Sequence, residues 1–166
     1  MRGRAGAAAR QVLGAVSLVG GLTWILLNVG APRPLRDMIV GAVLAVGGLV
    51  LLMPHRVPLP GRAAAATTIA AAVGGTLAGS IAESAQLGGM WAYVMSRGWP
   101  FAWISRGGSG DDEVTARQVA EQAGWQVDAV SLAANLYFWA LVGVLLVAAA
   151  GLARRTAPAP GPALQS

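Results

Sequence analysis

Cysteine and lysine are absent from the sequence, and histidine occurs once, at His55. Without cysteine the chain cannot form disulfides, thiolate nucleophiles or cysteine-ligated metal sites. Without lysine, Schiff-base chemistry and the lysine-containing phosphate-binding loop are excluded. One histidine cannot by itself build a bis-histidine haem site or a histidine-rich zinc site. The sequence therefore predicts no cofactor and no metal site, and it contains no catalytic signature.

Charged residues are also few: they make up 11% of the chain, against 55% hydrophobic residues. A soluble domain carries about 25% charged residues. All 12 basic residues are arginines, and they stand singly or in pairs beside apolar runs. Cations in such positions anchor the ends of membrane helices, whereas nucleic-acid binding needs a dense basic patch. We therefore expect an integral membrane protein that contacts the lipid bilayer and binds no nucleic acid.

Four apolar segments, separated by proline, glycine and charge, predict an all-α protein with four transmembrane helices in a bundle. A helix rises 1.5 Å per residue and the hydrocarbon core is about 30 Å thick, so a span needs about 20 residues. The third segment is mostly alanine, glycine and threonine and is only weakly hydrophobic. The predicted spans are residues 12–29, 38–53, 63–82 and 127–152, with a partly helical outer loop at 83–126. Residues 156–166, with their Ala-Pro repeats, are expected to form a disordered cytoplasmic tail.

A cleaved signal peptide is the alternative interpretation of the first segment, because arginines precede its apolar run. However, the run is long for a signal peptide. The best small-residue cleavage site is followed directly by Pro32. A first spanning helix is therefore favoured.

The distribution of arginine predicts the orientation. With the N-terminus inside, seven arginines fall on the cytoplasmic side and five outside, as the positive-inside rule requires. All seven acids and all six tryptophans then lie in or near the outer half. The arginine-only, alanine- and glycine-rich composition resembles that of proteins from high-GC bacteria. We expect a multi-pass protein of the inner (cell) membrane with both termini in the cytoplasm.

Small residues on one face of the third segment predict close helix packing. Ala71, Gly75 and Gly79 follow one another at steps of four and include a GxxxG pattern. Small residues let two backbones approach closely, and this packing drives helix association in lipid. Packing within the chain is favoured over a homodimer contact, because such patterns arise easily in a chain rich in alanine and glycine.

Four polar residues near the outer ends of the spans form a candidate intramembrane cluster: Asn28, Glu83, Ser131 and Asn135. Hydrocarbon cannot solvate such groups, so each one is a functional candidate. Helix capping and interhelical hydrogen bonds are the alternative explanations.

The outer loop divides into three parts. Residues 88–95 are predicted to form a short interfacial helix, and residues 111–123 a second helix that Ser109 and Gly124 would cap. Between them lies an apolar strip in which Trp99, Phe101 and Trp103 are two residues apart. In an extended chain, which Pro100 favours, these three rings project to one side. The strip is therefore predicted to be the surface that recognises a partner.

These features lead to three functional hypotheses. The first is a small membrane protein that associates with another membrane protein, or with itself, through the outer loop. The alternative is a transporter or channel component that uses Asn28, Glu83 and Asn135. The third is an enzyme acting on lipids or envelope substrates. An enzyme is not favoured, because the acids at 111–113 follow a flexible glycine-rich stretch that preorganises a site poorly.

Overall fold

The computed structural model of the chain describes residues 2–30, 34–53, 61–89 and 91–156. The chain is mostly helical, and its long helices are α1 (Arg2–Asn28), α2 (Pro34–Leu52), α3 (Gly61–Gly79) and α5 (Ala129–Thr156). Three of them, over Gly6–Asn28, Leu35–Leu52 and Ala129–Arg155, are long and apolar enough to cross a membrane. The prediction of a mostly helical chain is confirmed, and the three apolar helices are compatible with a multi-pass membrane protein. The tail predicted at 156–166 lies outside the described residues from 157 onward.

Between α3 and α5 the chain forms an antiparallel sheet in the order β1-β2-β3-β4. Its strands are β1 (Glu83–Gly88), β2 (Ala92–Arg97), β3 (Ile104–Ser109) and β4 (Gln126–Val127), with α4 (Glu113–Gln122) between β3 and β4. The all-α fold class is therefore wrong for this region. The interfacial helix predicted at 88–95 is also wrong, because the described residues of that range belong to β1, β2 and the turn between them.

Residues 92–97 form a strand because successive side chains of β2 point to opposite faces of the sheet, and the two faces have different surroundings. Tyr93 pairs with Gly108 across the sheet, and a Cβ on Gly108 would touch the backbone of Ala120 in α4. Arg117 of α4 also lies over the Tyr93 ring, with its Cζ 6.0 Å from the ring centroid. The face that carries Tyr93 is therefore covered by α4, whereas the neighbouring Val94 points to the other face.

The helix predicted at 111–123 is observed as α4, but its cap differs from the predicted one. Asp112 is the N-cap, and its carboxylate accepts the amide of Thr115 at 2.7 Å. Ser109 instead pairs with Ala92 at the end of β3. Ala116 and Ala120 are completely buried against the sheet, so the small residues of α4 allow it to lie close to the glycines of β3.

The long helices pack in pairs: α1 against α2, α2 against α5, and α3 against α5. Glycines allow α1 and α2 to approach closely, since a Cβ on Gly21 would lie 2.5 Å from the amide nitrogen of Ala45. The Nε of Arg10 donates to the carbonyl of Leu51 at 2.9 Å, at the end of α2. Ser17 of α1 and Tyr137 of α5 share a hydrogen bond between their hydroxyls.

Candidate functional site

The connection between β2 and β3, residues 98–103, contacts all four long helices and is called here the junction loop. Gly98 opens it at a φ of 129°, a conformation that favours glycine. The amide of Trp103 closes it by donating to the carbonyl of Arg97 at 3.0 Å. The Trp99–Pro100 peptide bond is cis. The junction loop is thus a turn that reaches the helices, and not the extended strip predicted from the sequence.

Asn135 of α5 holds the junction loop through two hydrogen bonds to one residue. Its Nδ2 donates to the carbonyl of Phe101 at 2.6 Å, and its Oδ1 accepts the Phe101 amide at 3.2 Å. The Asn135 side chain is 0% exposed. Arg36, in the first turn of α2, donates to the carbonyl of Pro100. Side chains of the helices therefore pair with the Pro100 carbonyl and with the Phe101 amide and carbonyl, which have no partner in a neighbouring strand.

The aromatic rings of the junction loop also pack on the helices. Phe101 makes an edge contact with Trp24 of α1, with ring centroids 5.8 Å apart. Trp99 contacts Phe138 and Trp139 of α5 at 5.7 and 5.6 Å. The indole N–H of Trp139 donates to the Trp99 carbonyl at 3.3 Å. Edge contacts of this kind contribute about 0.5–1.5 kcal/mol beyond the burial of apolar area.

Trp103, the third ring of the predicted partner surface, lies where β3 and α5 begin. Its carbonyl accepts the amide of Asp128 at 2.8 Å. Its indole N–H is buried and has no acceptor within the described ranges. Trp99, Phe101 and Trp103 are all partly buried, so the surface that they offer to a partner is smaller than the sequence suggested.

The small-residue face of α3 lies against α5 and the junction loop. A Cβ on Gly75 would overlap the Trp139 ring, and a Cβ on Gly79 would lie 2.5 Å from the Trp99 carbonyl oxygen. Ala71 lies beside Gly143, where an added Cβ would be 2.9 Å from the Ala71 Cβ. Ala71, Gly75 and Gly79 therefore all make contacts within the chain.

The four residues of the predicted polar cluster have separate partners. Asn28 donates to the Trp24 carbonyl in its own helix at 2.8 Å, and Glu83 forms an ion pair with Arg97 across β1 and β2. The Ser131 hydroxyl donates to Asp128 at 2.7 Å. Asn135 reaches the Ser131 carbonyl at 3.1 Å as well as Phe101. Among these four residues, only Ser131 and Asn135 are hydrogen-bonded to each other, and the acceptor is the backbone carbonyl of Ser131.

Carboxylates at two helix starts act as caps. The hydrogen bond from the Ser131 side chain, followed by those from the amides of Ser131 and Val130, lowers the pKa of Asp128. The amide and side chain of Thr115 lower the pKa of Asp112 in the same way. Both carboxylates are ionised at neutral pH and are used to stabilise helix N-termini.

A cluster that sequence analysis missed lies on the α4 side of the sheet. Arg97 and Arg106 stack on the Trp125 ring, with Cζ atoms 4.8 and 4.5 Å from its centroid. A cavity of about 190 Å³ lies beside Trp125, Glu83 and Met95. Its chemistry is cation–π stacking and one ion pair, and no group of three metal-ligating side chains occurs in the described ranges. The arginines are nine residues apart in sequence, so only the strand register brings them together.

The hairpin of β1 and β2 exposes two apolar residues, Leu87 near the end of β1 and Trp91 in the turn, which are called here the hairpin tip. Leu87 is 55% exposed and Trp91 is 51% exposed. Trp91 has a positive φ of 55°, a genuine outlier for a bulky side chain. The amide of Gly110 holds its backbone by donating to the Trp91 carbonyl at 3.2 Å. A strained and exposed tryptophan is not explained by packing within the sheet.

Comparison with protein families, with characterised proteins and with solved structures found no match. Function must therefore be inferred from the arrangement of this chain's own residues.

Proposed function

We propose that this protein acts by associating with another membrane protein, and that the hairpin tip is the contact surface. The observation that carries the proposal is Trp91, which is half exposed and held in a left-handed backbone conformation. Such a conformation costs about 1–3 kcal/mol and persists at sites where the strain serves a function. Tryptophan is also among the residues that contribute most to binding at protein interfaces.

The position of the hairpin tip supports the same proposal. The junction loop contacts the helices at one end of the sheet, and the hairpin tip lies at the other end of β2. A strand rises about 3.3 Å per residue, which places Trp91 about 17 Å along the sheet from the helices. The tip is therefore presented at the end of a rigid element.

Contacts of the aromatic strip with the helices lead us to propose a different partner surface from the one predicted from the sequence. Trp99 and Phe101 pack on rings of α1 and α5 and are held there by Asn135 and Trp139. These contacts favour a structural role for the strip, in which it fixes the sheet on the helices. The recognition role then belongs to Leu87 and Trp91.

To test this proposal, the double variant Leu87→Ser, Trp91→Ala is made in the full chain. We expect copurification of the partner from native membranes to be lost, while thermal stability changes by less than about 1 kcal/mol, as for exposed residues. Val119→Ser removes an apolar side chain of α4 that is 43% exposed, and this variant should keep the partner. Retention of the partner by the tip variant would disprove the role of the tip.

We further propose that all four long helices cross the membrane, with both termini in the cytoplasm. α3 is weakly hydrophobic, but it runs antiparallel beside α5 over most of its length. Gly75 lies at Trp139, Ala71 at Gly143, and Ala64 near Val147. A helix that follows a spanning neighbour over this distance passes through the same thickness of bilayer. The excess of arginine at the ends away from the sheet supports the orientation.

Reporter fusions at Arg62, Gly108 and Ser166 test this topology. We expect the reporters to be inside, outside and inside, because one span separates each site from the next. An outside reporter at Ser166 would contradict the four-span arrangement. It would mean that α3 lies on the membrane surface.

A further inference from the structure

A groove between α3 and α5 lies at the end of the helices farthest from the sheet. Its volume is about 330 Å³, and its walls include Ala64 and Thr67 of α3 and Ala150, Gly151 and Arg154 of α5. Near the sheet, the Trp139 ring fills the space against Gly75. At the far end the facing residues include Ala64, Ala150 and Gly151, whose small side chains leave a groove. Its walls are mostly apolar, and Arg154 is the charged residue among them.

The charge around this groove has one sign. The sequence has no aspartate or glutamate between residues 38 and 82 or between 129 and 166. Arg154 and Arg155 lie in the last turn of α5, and Arg62 precedes the groove residues of α3. Within the described ranges neither arginine of α5 forms an ion pair with the protein. Both arginines are exposed, so their guanidinium groups are available to an anion from outside the chain.

We propose that this groove binds an acyl chain of an anionic phospholipid, whose phosphate is held by Arg154. Basic pockets between membrane helices recognise lipid head groups in this way, and the guanidinium group matches a phosphate with two parallel hydrogen bonds. The apolar walls suit the acyl chain, and the single arginine at the end of the groove suits the head group. The site does not depend on the hairpin tip or on any partner protein.

The test uses the purified full chain, stripped of lipid in detergent and titrated with phosphatidylglycerol or phosphatidylcholine. Bound lipid is counted by native mass spectrometry. We expect phosphatidylglycerol to bind at least about fivefold more tightly, the effect of one basic residue near a lipid head group. Equal binding of the two lipids would overturn the proposal. Glycerol phosphate that competes as strongly as the lipid would also overturn it, because a free-phosphate site needs no acyl chain.

Two pairs of neighbouring residues provide matched variants. Arg154→Gln should weaken phosphatidylglycerol binding about fivefold, whereas Arg155→Gln, which alters a residue outside the groove lining, should not. Ala150→Leu should fill the groove and block binding, whereas Ala149→Leu should leave binding unchanged. Circular dichroism confirms that each variant is folded. Equal losses within either pair would show nonspecific attraction to a basic surface and would overturn the proposed site.

Discussion

Replacing Asn135 with leucine is expected to lower the free energy of unfolding by about 3 kcal/mol. The substitution keeps a side chain of similar size but removes both hydrogen bonds to Phe101. The Phe101 amide and carbonyl would then be partly buried without partners, and each such group costs about 1–3 kcal/mol. Unfolding of the purified protein in detergent, followed by circular dichroism, measures the change.

Asn28→Leu is the matched control for this prediction. The Asn28 amide donates to a carbonyl of its own helix, so its loss leaves no loop group unpaired. We expect a change below about 1 kcal/mol, as for substitutions outside a buried network. If both variants lost the same stability, the effect would come from removing any polar group near the helix ends, and not from the junction loop.

Replacing Gly75 with isoleucine is expected to lower the free energy of unfolding by about 3 kcal/mol or more. A Cβ at this position would overlap the Trp139 ring, so α3 and α5 must move apart. Trp139 also donates a hydrogen bond to the junction loop, and the displacement would weaken that contact as well. Thermal unfolding in detergent measures the loss.

Gly74→Ile is the control, because a Cβ at Gly74 would meet no atom within 4 Å. It adds the same side chain one residue away, and isoleucine has a higher helix propensity than glycine. We therefore expect no loss of stability. An equal loss in both variants would mean that α3 tolerates no branched side chain in general, and the packing of Gly75 on Trp139 would be disproved.

The helices could be predicted because their signal is local. Long apolar runs with arginine at their ends indicate membrane helices, and α4 has an acidic first turn and buried alanines at a spacing of four. The sheet could not be predicted, because its strands are short and two of them, β1 and β3, contain both glycine and serine. β3, with the sequence ISRGGS, has no alternating apolar pattern. It is a strand because β2 and α4 lie beside it.

The sequence indicates which residues of the candidate site matter, but it does not indicate what each of them contacts. Asn135 was identified because an amide in a membrane helix needs a partner. Its partner is the backbone of Phe101, 34 residues away in sequence, and no local pattern contains that pairing. The aromatic strip was likewise identified by its rings, but the turn at 98–103 determines where they point. Trp91 was missed because exposure depends on the hairpin and not on the sequence around it.

Asn135 holds the junction loop against the helices through its two hydrogen bonds to Phe101. Amide hydrogen exchange of the junction loop tests it most directly, measured by NMR on the protein in lipid nanodiscs. Phe101 should be strongly protected and Ala102, which is exposed, should exchange rapidly. In the Asn135→Leu variant Phe101 should lose its protection. If the Phe101 amide exchanged as fast as the Ala102 amide in the unmodified protein, Asn135 would not be holding the junction loop.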